Sequence, residues 1–395
     1  MRTFKFNQLM TFVLVLTLFS CTDDGDPVTP PSNPEVLPTA AFSVDVNSLV
    51  VGQDITFTDA SANGTATITS WNWTFEGATP STSTDKNPVV RYNGIGEFNV
   101  RLTVSSLVGP NTVSTDYAIT ADCATYACEK YPVVKEENIF YGVDDAHSMT
   151  IYQARSNHNV NRPAILINGG GAYEGSNLDE LDELARRLSS YGFVVATAKY
   201  RNGIGNATAN LMRGMVDSKA AVRYLRASAM TYGIDPNQIF VGGWSSGAYN
   251  ALTHGYWQAE DVPDLLMDTV VPGFIASWEG NQGNPGVSSE ISGVISLGGS
   301  LFGMDEAFED DLWITESDVP LFAVHGELDS DVPCGSTELP TTNWEFGACT
   351  IDARLQAVGI RSELIVIPNG AHFAPRLSEN IDTYLPLLVN FLTTS

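Results

Sequence analysis

From residue 131 to residue 395 the chain alternates continuous apolar runs with stretches whose apolar residues recur every three or four positions. Ala164-Ile165-Leu166-Ile167 and Ile239-Phe240-Val241 are unbroken runs of the length and texture of strands covered on both faces. Leu178, Leu181, Leu184 and Leu188 keep to one face of a helix, and Ile381, Tyr384, Leu388 and Phe391 to one face of a terminal helix. Further strands are predicted at Phe193 to Lys199, Ile291 to Leu297, Leu321 to Val324 and Glu363 to Ile367, with a long helix around Val216 to Met230. Glu137 to Val143 and Ser148 to Ala154 read as an opening hairpin. Repeated strand–helix alternation implies an α/β fold with a doubly wound, mostly parallel sheet. Gly255 to Glu290 breaks the rhythm and is expected to form a cap over the site.

Residues 39–121 have another texture. Thr, Val, Ser and Gly dominate, and apolar residues alternate with polar ones in Asp54 to Asp59 and Glu97 to Val104. Turn signals recur about every ten residues, the pattern of a small all-β, Ig-like sandwich. Val51-Gly52-Gln53, the run Ile68 to Phe75, Thr79 to Ser83, Asn87-Pro88, Tyr92-Asn93 and Gly96 resemble a PKD domain over nearly its full length. Glu76 stands where many members have glycine. Trp71 and Trp73, two apart, share one face of a strand, where a core pair is expected over a sugar platform. The domain reads as a spacer first and a polymer-binding unit second.

Composition narrows the classes. A chain of 395 residues has room for two or three domains. With 46 acidic against 20 basic residues and a net charge of -26, its surface repels phosphate backbones, so nucleic acid is not an expected partner. Arg2 and Lys5 precede an apolar core from about Met10 to Phe19, too short to cross a bilayer and of signal-peptide length. Its end, Leu18-Phe19-Ser20-Cys21, resembles a bacterial lipoprotein box with Cys21 lipidated, and the acidic Thr22 to Asp26 resembles a surface-export signal of Bacteroidota lipoproteins. These features predict an exported, outer-membrane, surface-exposed protein that meets the membrane only through its lipid. The proline-rich Pro27 to Pro38 reads as a stiff tether. The expected division is signal peptide 1–21, linker 22–38, sandwich 39–121, a hinge 122–130 and an α/β domain 131–395. Export favours disulfides, and the pairing that closes the two shortest loops is Cys123–Cys128 and Cys334–Cys349. The segment between Cys334 and Cys349 shows little helix or strand pattern. Its Trp344 is a candidate for the substrate rim.

The chemistry centres on Gly243-Trp244-Ser245-Ser246-Gly247, which follows an apolar run and precedes a helix-compatible stretch. That is the setting of a nucleophile elbow with Ser245 as nucleophile. A serine needs a base oriented by an acid, and in such a sheet the order is Ser, then Asp or Glu, then His. His147 and His158 precede the serine, His254 lies mid-helix, and His325 precedes its own acid. His372, in a loop before the terminal helix, remains as the base. Asp329 and Asp331 both qualify as acid by position. The stretch His325 to Pro333, HGxxDxxVP, resembles the α/β-hydrolase superfamily, and the resemblance implies Asp329. The Ser246 amide, next after the nucleophile, is an expected oxyanion donor. The loop Asn168 to Ser176 resembles the HGGG loop of carboxylesterases and hormone-sensitive-lipase-like enzymes, with Asn168 in place of histidine. The amides of Gly170 and Gly171 carry over as further donors. No metal or organic cofactor is expected. The reading is a surface serine esterase acting on carboxylic esters, with acyl or feruloyl groups on polysaccharide as candidate polymer-borne substrates. A prolyl-oligopeptidase-like peptidase and a polymer-binding protein with an inactive hydrolase domain are the alternatives.

Overall fold

The computed structural model describes residues 34–45, 49–121, 126–155, 159–203, 207–258, 278–303, 314–338 and 344–394. The expected signal peptide, Cys21, Cys123 and His158 lie outside them.

Two sheets form the N-terminal sandwich. One has four strands, in the order Phe42–Val44, Asp54–Asp59, Val89–Tyr92 and Ala78–Thr79. The other has five, in the order Leu49–Val50, Pro110–Thr120, Gly96–Ser106, Ile68–Phe75 and Thr82–Ser83. The alternating residues Ile55, Phe57, Trp73, Phe75, Val100, Leu102 and Val104 meet in one buried core. Trp73 is fully buried, its ring stacked on Phe75 at 5.6 Å, and Trp71 packs partly buried against the same core. The tryptophan pair is therefore core. The tether ends sooner than its prolines suggest: Val36 N donates to Thr65 Oγ1 (2.7 Å) and Thr65 N to Val36 O (2.9 Å), laying the last linker residues along the sandwich.

The second domain is one sheet of eight strands. In chain order they are β1 (Val133–Phe140), β2 (Ser148–Ala154), β3 (Arg162–Asn168), β4 (Val194–Ala198), β5 (Ile234–Trp244), β6 (Gly293–Leu297), β7 (Leu321–Gly326) and β8 (Ser362–Ile367). Their spatial order is β1-β2-β4-β3-β5-β6-β7-β8, with β2 antiparallel to both its neighbours, β1 and β4, and every other pairing parallel. The hairpin and the parallel sheet are as the periodicity predicts. Among the described residues the domain's helices of ten residues or more are α1 (Asp182–Tyr191), α2 (Ala207–Ala227), α3 (Ser246–Tyr256), α4 (Ala348–Ala357) and α5 (Ser378–Thr394). Inward-facing side chains of β3, β4 and β5 alternate between two cores. Leu166, Ala196 and Val241 meet α2, α3 and α4 on one face, and Ile165, Val195 and Phe240 meet α1 and α5 on the other. This two-sided burial is what the unbroken apolar runs encode.

Most of the expected cap, residues 259–277, lies outside the described residues, and its described residues 278–290 lie against α2. Arg223 donates to the carbonyls of Glu279, Gln282 and Gly283, and Lys219 pairs with Glu279 at 2.9 Å. Gly255 still belongs to α3. The region between Cys334 and Cys349 is not patternless: Ser336–Glu338 and Trp344–Gly347 pair antiparallel with each other, and the latter pairs with Ser300–Gly303. These strands are three and four residues long, too short to show an alternation in sequence. The Cys334–Cys349 disulfide joins the two ends of this hairpin. Cys128 is also disulfide-bonded.

Candidate active site

Strand β5 delivers Ser245, the candidate nucleophile. Its last residue, Trp244, is followed by Ser245 at φ 54°, ψ -126°, and α3 starts at Ser246. A non-glycine residue held at positive φ costs strain, and such outliers collect at functional sites. The glycines on either side are needed for space rather than for φ. A Cβ on Gly243 would lie 2.2 Å from the Gly247 carbonyl carbon, and one on Gly247 2.2 Å from Asn168 O. The turn therefore closes only with hydrogen at both positions. Ser245 N is tied to Leu297 O at 3.0 Å, so that amide is already committed to the sheet.

Three side chains from three strand ends meet there. His372 Nε2 lies 2.8 Å from Ser245 Oγ, and its Nδ1 lies 2.7 Å from Asp329 Oδ2. The carboxylate accepts the Nδ1 proton, which leaves Nε2 with a lone pair facing the serine hydroxyl. Asp329 Oδ1 accepts from the amides of Asp331 (3.1 Å) and Val332 (2.9 Å). Burial alone would push the Asp329 carboxyl up, but the hydrogen bonds from His372 and the Val332 amide hold it below the usual range. Asp331 contributes its amide to Asp329 and makes no such bond to His372, so the geometry separates the two acids. His325 donates to Val332 O at 2.7 Å from the same loop, and burial pushes its imidazole down. It braces the acid. His254 is buried in α3 against Ser289 O at 2.9 Å, pushed down to about 3 by burial, away from the cleft.

The glycine loop follows β3. Asn168 is fully buried and donates to Ser218 Oγ (3.1 Å) and Gly242 O (3.2 Å), so the asparagine anchors the loop to α2 and β5. Gly171, at φ 140°, borders the cleft together with Ser245 and Ser246. Gly170, one residue earlier, is buried against the Trp244 ring and bridges to Asn177. Ala172 and Tyr173 follow, both at positive φ, and Tyr173 donates to Ser246 O and Asn250 Oδ1.

Several contributors carry no sequence signal. Tyr200 is buried, with its hydroxyl 2.8 Å from Gly169 O and 3.0 Å from Ser246 Oγ, so it spans the glycine loop and the start of α3. Burial pushes that hydroxyl up to about 12, which keeps its proton in place. Trp244 donates from Nε1 to His372 O at 3.3 Å, and the Arg376 guanidinium stacks 4.2 Å from the Trp244 ring while pairing with Glu180. The nucleophile's neighbour thus holds the base's loop. The cleft is about 510 Å³, walled by the rings of Tyr173, Trp244, Tyr249, Phe302 and Phe373. Trp344 lies on the strand Trp344–Gly347 next to it, and its side chain is outside the described residues. Among the described residues no cluster of His, Cys, Asp and Glu could hold a metal, and no helix is long and apolar enough to cross a membrane.

Residues 149–283 match the BD-FAE family and residues 35–120 the PKD domain family. The chain carries a PKD domain followed by a BD-FAE domain of the α/β-hydrolase type. The BD-FAE match covers β2 to β5 and the elbow, with Asp329 and His372 beyond it. The chain is 28% identical over 116 residues to "Gut esterase 1" of Caenorhabditis elegans, covering 27% of this chain and 20% of that one. It is 26% identical over 147 residues to "Esterase LipC" of Mycobacterium tuberculosis, covering 35% of this chain and 36% of that one. The chain thus spans between a fifth and about a third of these relatives' lengths. A solved esterase of Thermogutta terrifontis superposes at a TM-score of 0.49 with 20% identity, covering 65% of this chain and 91% of that one.

Proposed function

We propose that the BD-FAE domain is a serine carboxylic-ester hydrolase with Ser245, His372 and Asp329 as its catalytic triad. The observation that carries this reading is the unbroken chain Ser245 Oγ–His372 Nε2 (2.8 Å) and His372 Nδ1–Asp329 Oδ2 (2.7 Å), opening into an aromatic cleft. Ser245 Oγ attacks the ester carbonyl carbon as its proton passes to His372 Nε2. Asp329 keeps the imidazole in the right tautomer and stabilises the imidazolium. The negative charge on the carbonyl oxygen is taken by the amides of Ser246, Gly171 and Gly170. As the tetrahedral intermediate collapses, the His372 proton goes to the leaving alkoxide and an acyl–Ser245 ester remains. Water then repeats the sequence, with His372 taking its proton, to release the acid and restore Ser245.

The esterase names of the relatives agree with this chemistry. The prefix of the chain supports a surface placement through a lipidated Cys21, and the PKD domain supports a substrate ester borne on a polymer such as acylated or feruloylated polysaccharide. The deciding experiment measures hydrolysis of nitrophenyl acetate, acetylated xylan, methyl ferulate and a prolyl peptide by wild type and Ser245→Ala. Ester turnover lost in the variant is the expected result. Peptide cleavage without ester turnover, or equal rates in both proteins, would overturn the proposal.

A further inference from the structure

Of the two carboxyl groups that line the cleft outside the triad, Asp331 is exposed and Glu345 is partly buried among aromatic rings. Glu345 lies on the short strand Trp344–Gly347, beside the rings of Phe302 and Tyr249, in the same cavity as Ser245 and His372. Tyr249 stands one helical turn after Ser245 on α3 and donates its hydroxyl proton to Glu345 Oε1 at 3.2 Å. A carboxyl group offers about four acceptor positions. Among the described residues Tyr249 is its one donor, and no cation pairs with it. An acceptor facing a largely aromatic cavity is costly until a donor fills it.

We propose that Glu345 and Tyr249 form a hydroxyl-binding subsite, so that the preferred ester carries a free hydroxyl on the part seated in this cleft. The inference rests on the esterase reading and adds the class of substrate to it. With its own proton committed to Glu345, the Tyr249 oxygen can only accept. The pair thus presents Glu345 Oε2 and, beside the Ser300 hydroxyl that also reaches it, Tyr249 Oη as neighbouring acceptors, and a vicinal diol of a sugar supplies two matching donors. Burial pushes the Glu345 carboxyl up, partly offset by the Tyr249 bond. The aromatic walls complement a sugar or cyclitol ring face as well.

The test compares matched esters in the full-length protein. On the alcohol side the pair is trans-2-hydroxycyclohexyl acetate against cyclohexyl acetate; on the acyl side it is ethyl 3-hydroxybutyrate against ethyl butyrate. Wild type should prefer the hydroxylated member of one pair by about tenfold in kcat/KM, the size of one hydrogen bond to a carboxyl group, and that pair identifies the half that enters the subsite. In Glu345→Gln the ratio should fall to about one, and in Tyr249→Phe it should fall part of the way, with melting temperatures confirming that both fold. Ratios near one in wild type for both pairs, or a ratio unchanged in Glu345→Gln, would overturn the subsite. So would a preference for the trimethylammonioethyl ester of acetic acid over its neutral 3,3-dimethylbutyl counterpart that Glu345→Gln removes, since that assigns a cation site. Absence of all ester turnover in wild type would count against the esterase reading alone. Calorimetric binding of trans-2-hydroxycyclohexyl acetate and cyclohexyl acetate to Ser245→Ala then decides the subsite without chemistry: tighter binding of the hydroxylated ester, lost on adding Glu345→Gln, supports it, and equal binding overturns it.

Discussion

Among the described residues of the α/β domain, two buried imidazoles lie within 3.0 Å of an aspartate carboxylate, and only one of them borders the cleft. In the pair His372–Asp329 the imidazole has one nitrogen on the carboxylate and the other on Ser245. In the pair His147–Asp217, Nε2 lies 3.0 Å from Asp217 Oδ1, and Nδ1 accepts the Asp144 amide at 3.2 Å. Asp217 is also gripped by Arg201, whose Nη2 lies 2.6 Å from Oδ1 and whose amide lies 2.8 Å from Oδ2. Both nitrogens of His147 thus face its own protein, away from the cleft, and its acid already has a cation. A histidine can act as a base only where one nitrogen keeps a lone pair turned towards something reactive. The difference between the pairs lies in what holds the second nitrogen, not in residue type or depth of burial.

Mutation should pull the two pairs apart. Ser245→Ala and His372→Ala should each lower kcat on nitrophenyl acetate by roughly 10⁴-fold or more, and the double variant by no more than either, because the parts act as one unit. His147→Ala should leave kcat within a few-fold and lower the melting temperature. Multiplying losses in the double variant would break the comparison at its functional end. Among the acids, Asp329→Asn should cost about 10³- to 10⁴-fold in kcat at unchanged stability, since the amide favours the wrong tautomer. Asp217→Asn should instead destabilise by about 3 kcal/mol or more, because Arg201 is left without its buried partner. Asp331→Asn should be mild.

Acid sharpens the contrast. Burial alone would raise the Asp217 carboxyl, but hydrogen bonds from His147 and Arg201 and the charge of Arg201 hold it below its ordinary value. A folded-state value below the unfolded one adds stability that is present above about pH 4 and lost as pH falls further. Chemical denaturation between pH 5 and 2.5 should show this acid slope in wild type and a shallower one in Asp217→Asn. Smaller still is the expected effect of Tyr200→Phe. It removes the hydroxyl between Gly169 O and Ser246 Oγ, loosening the spacing of the oxyanion donors, and should lower kcat by about tenfold with little change in KM. An equal rise in KM would make Tyr200 a packing residue.

The parts of the site that were legible in sequence are those where backbone geometry restricts the residue type. Gly243 and Gly247 admit no Cβ, and the apolar runs of β3 and β5 must be unbroken because both faces are covered, so the elbow and the buried strands could be read. His372 followed from chain order, and the HGxxDxxVP resemblance favoured Asp329, the acid that contacts His372. Tyr200 was not legible, because its partners Gly169 and Ser246 lie 31 and 46 residues away and a single tyrosine has no period. Glu345 and Tyr249 meet across 96 residues through a hairpin whose strands are too short to read. The course of residues 278–290 is hidden for a related reason: Arg223 and Lys219, which draw them onto α2, look in sequence like ordinary solvent-facing charges of a helix.

The backbone of Ser245, at φ 54° and ψ -126°, bears on the history of the chain as well as on its chemistry. Strain of this kind costs a fold about 1–3 kcal/mol, and glycine relieves it. Ser245→Gly should therefore give an inactive protein that melts at a higher temperature than wild type. Under selection for persistence alone, a lineage would exchange this serine early, since the step is open and downhill. A decayed hydrolase kept only as an adhesive surface would have had every opportunity to take it. The serine still occupies the strained position.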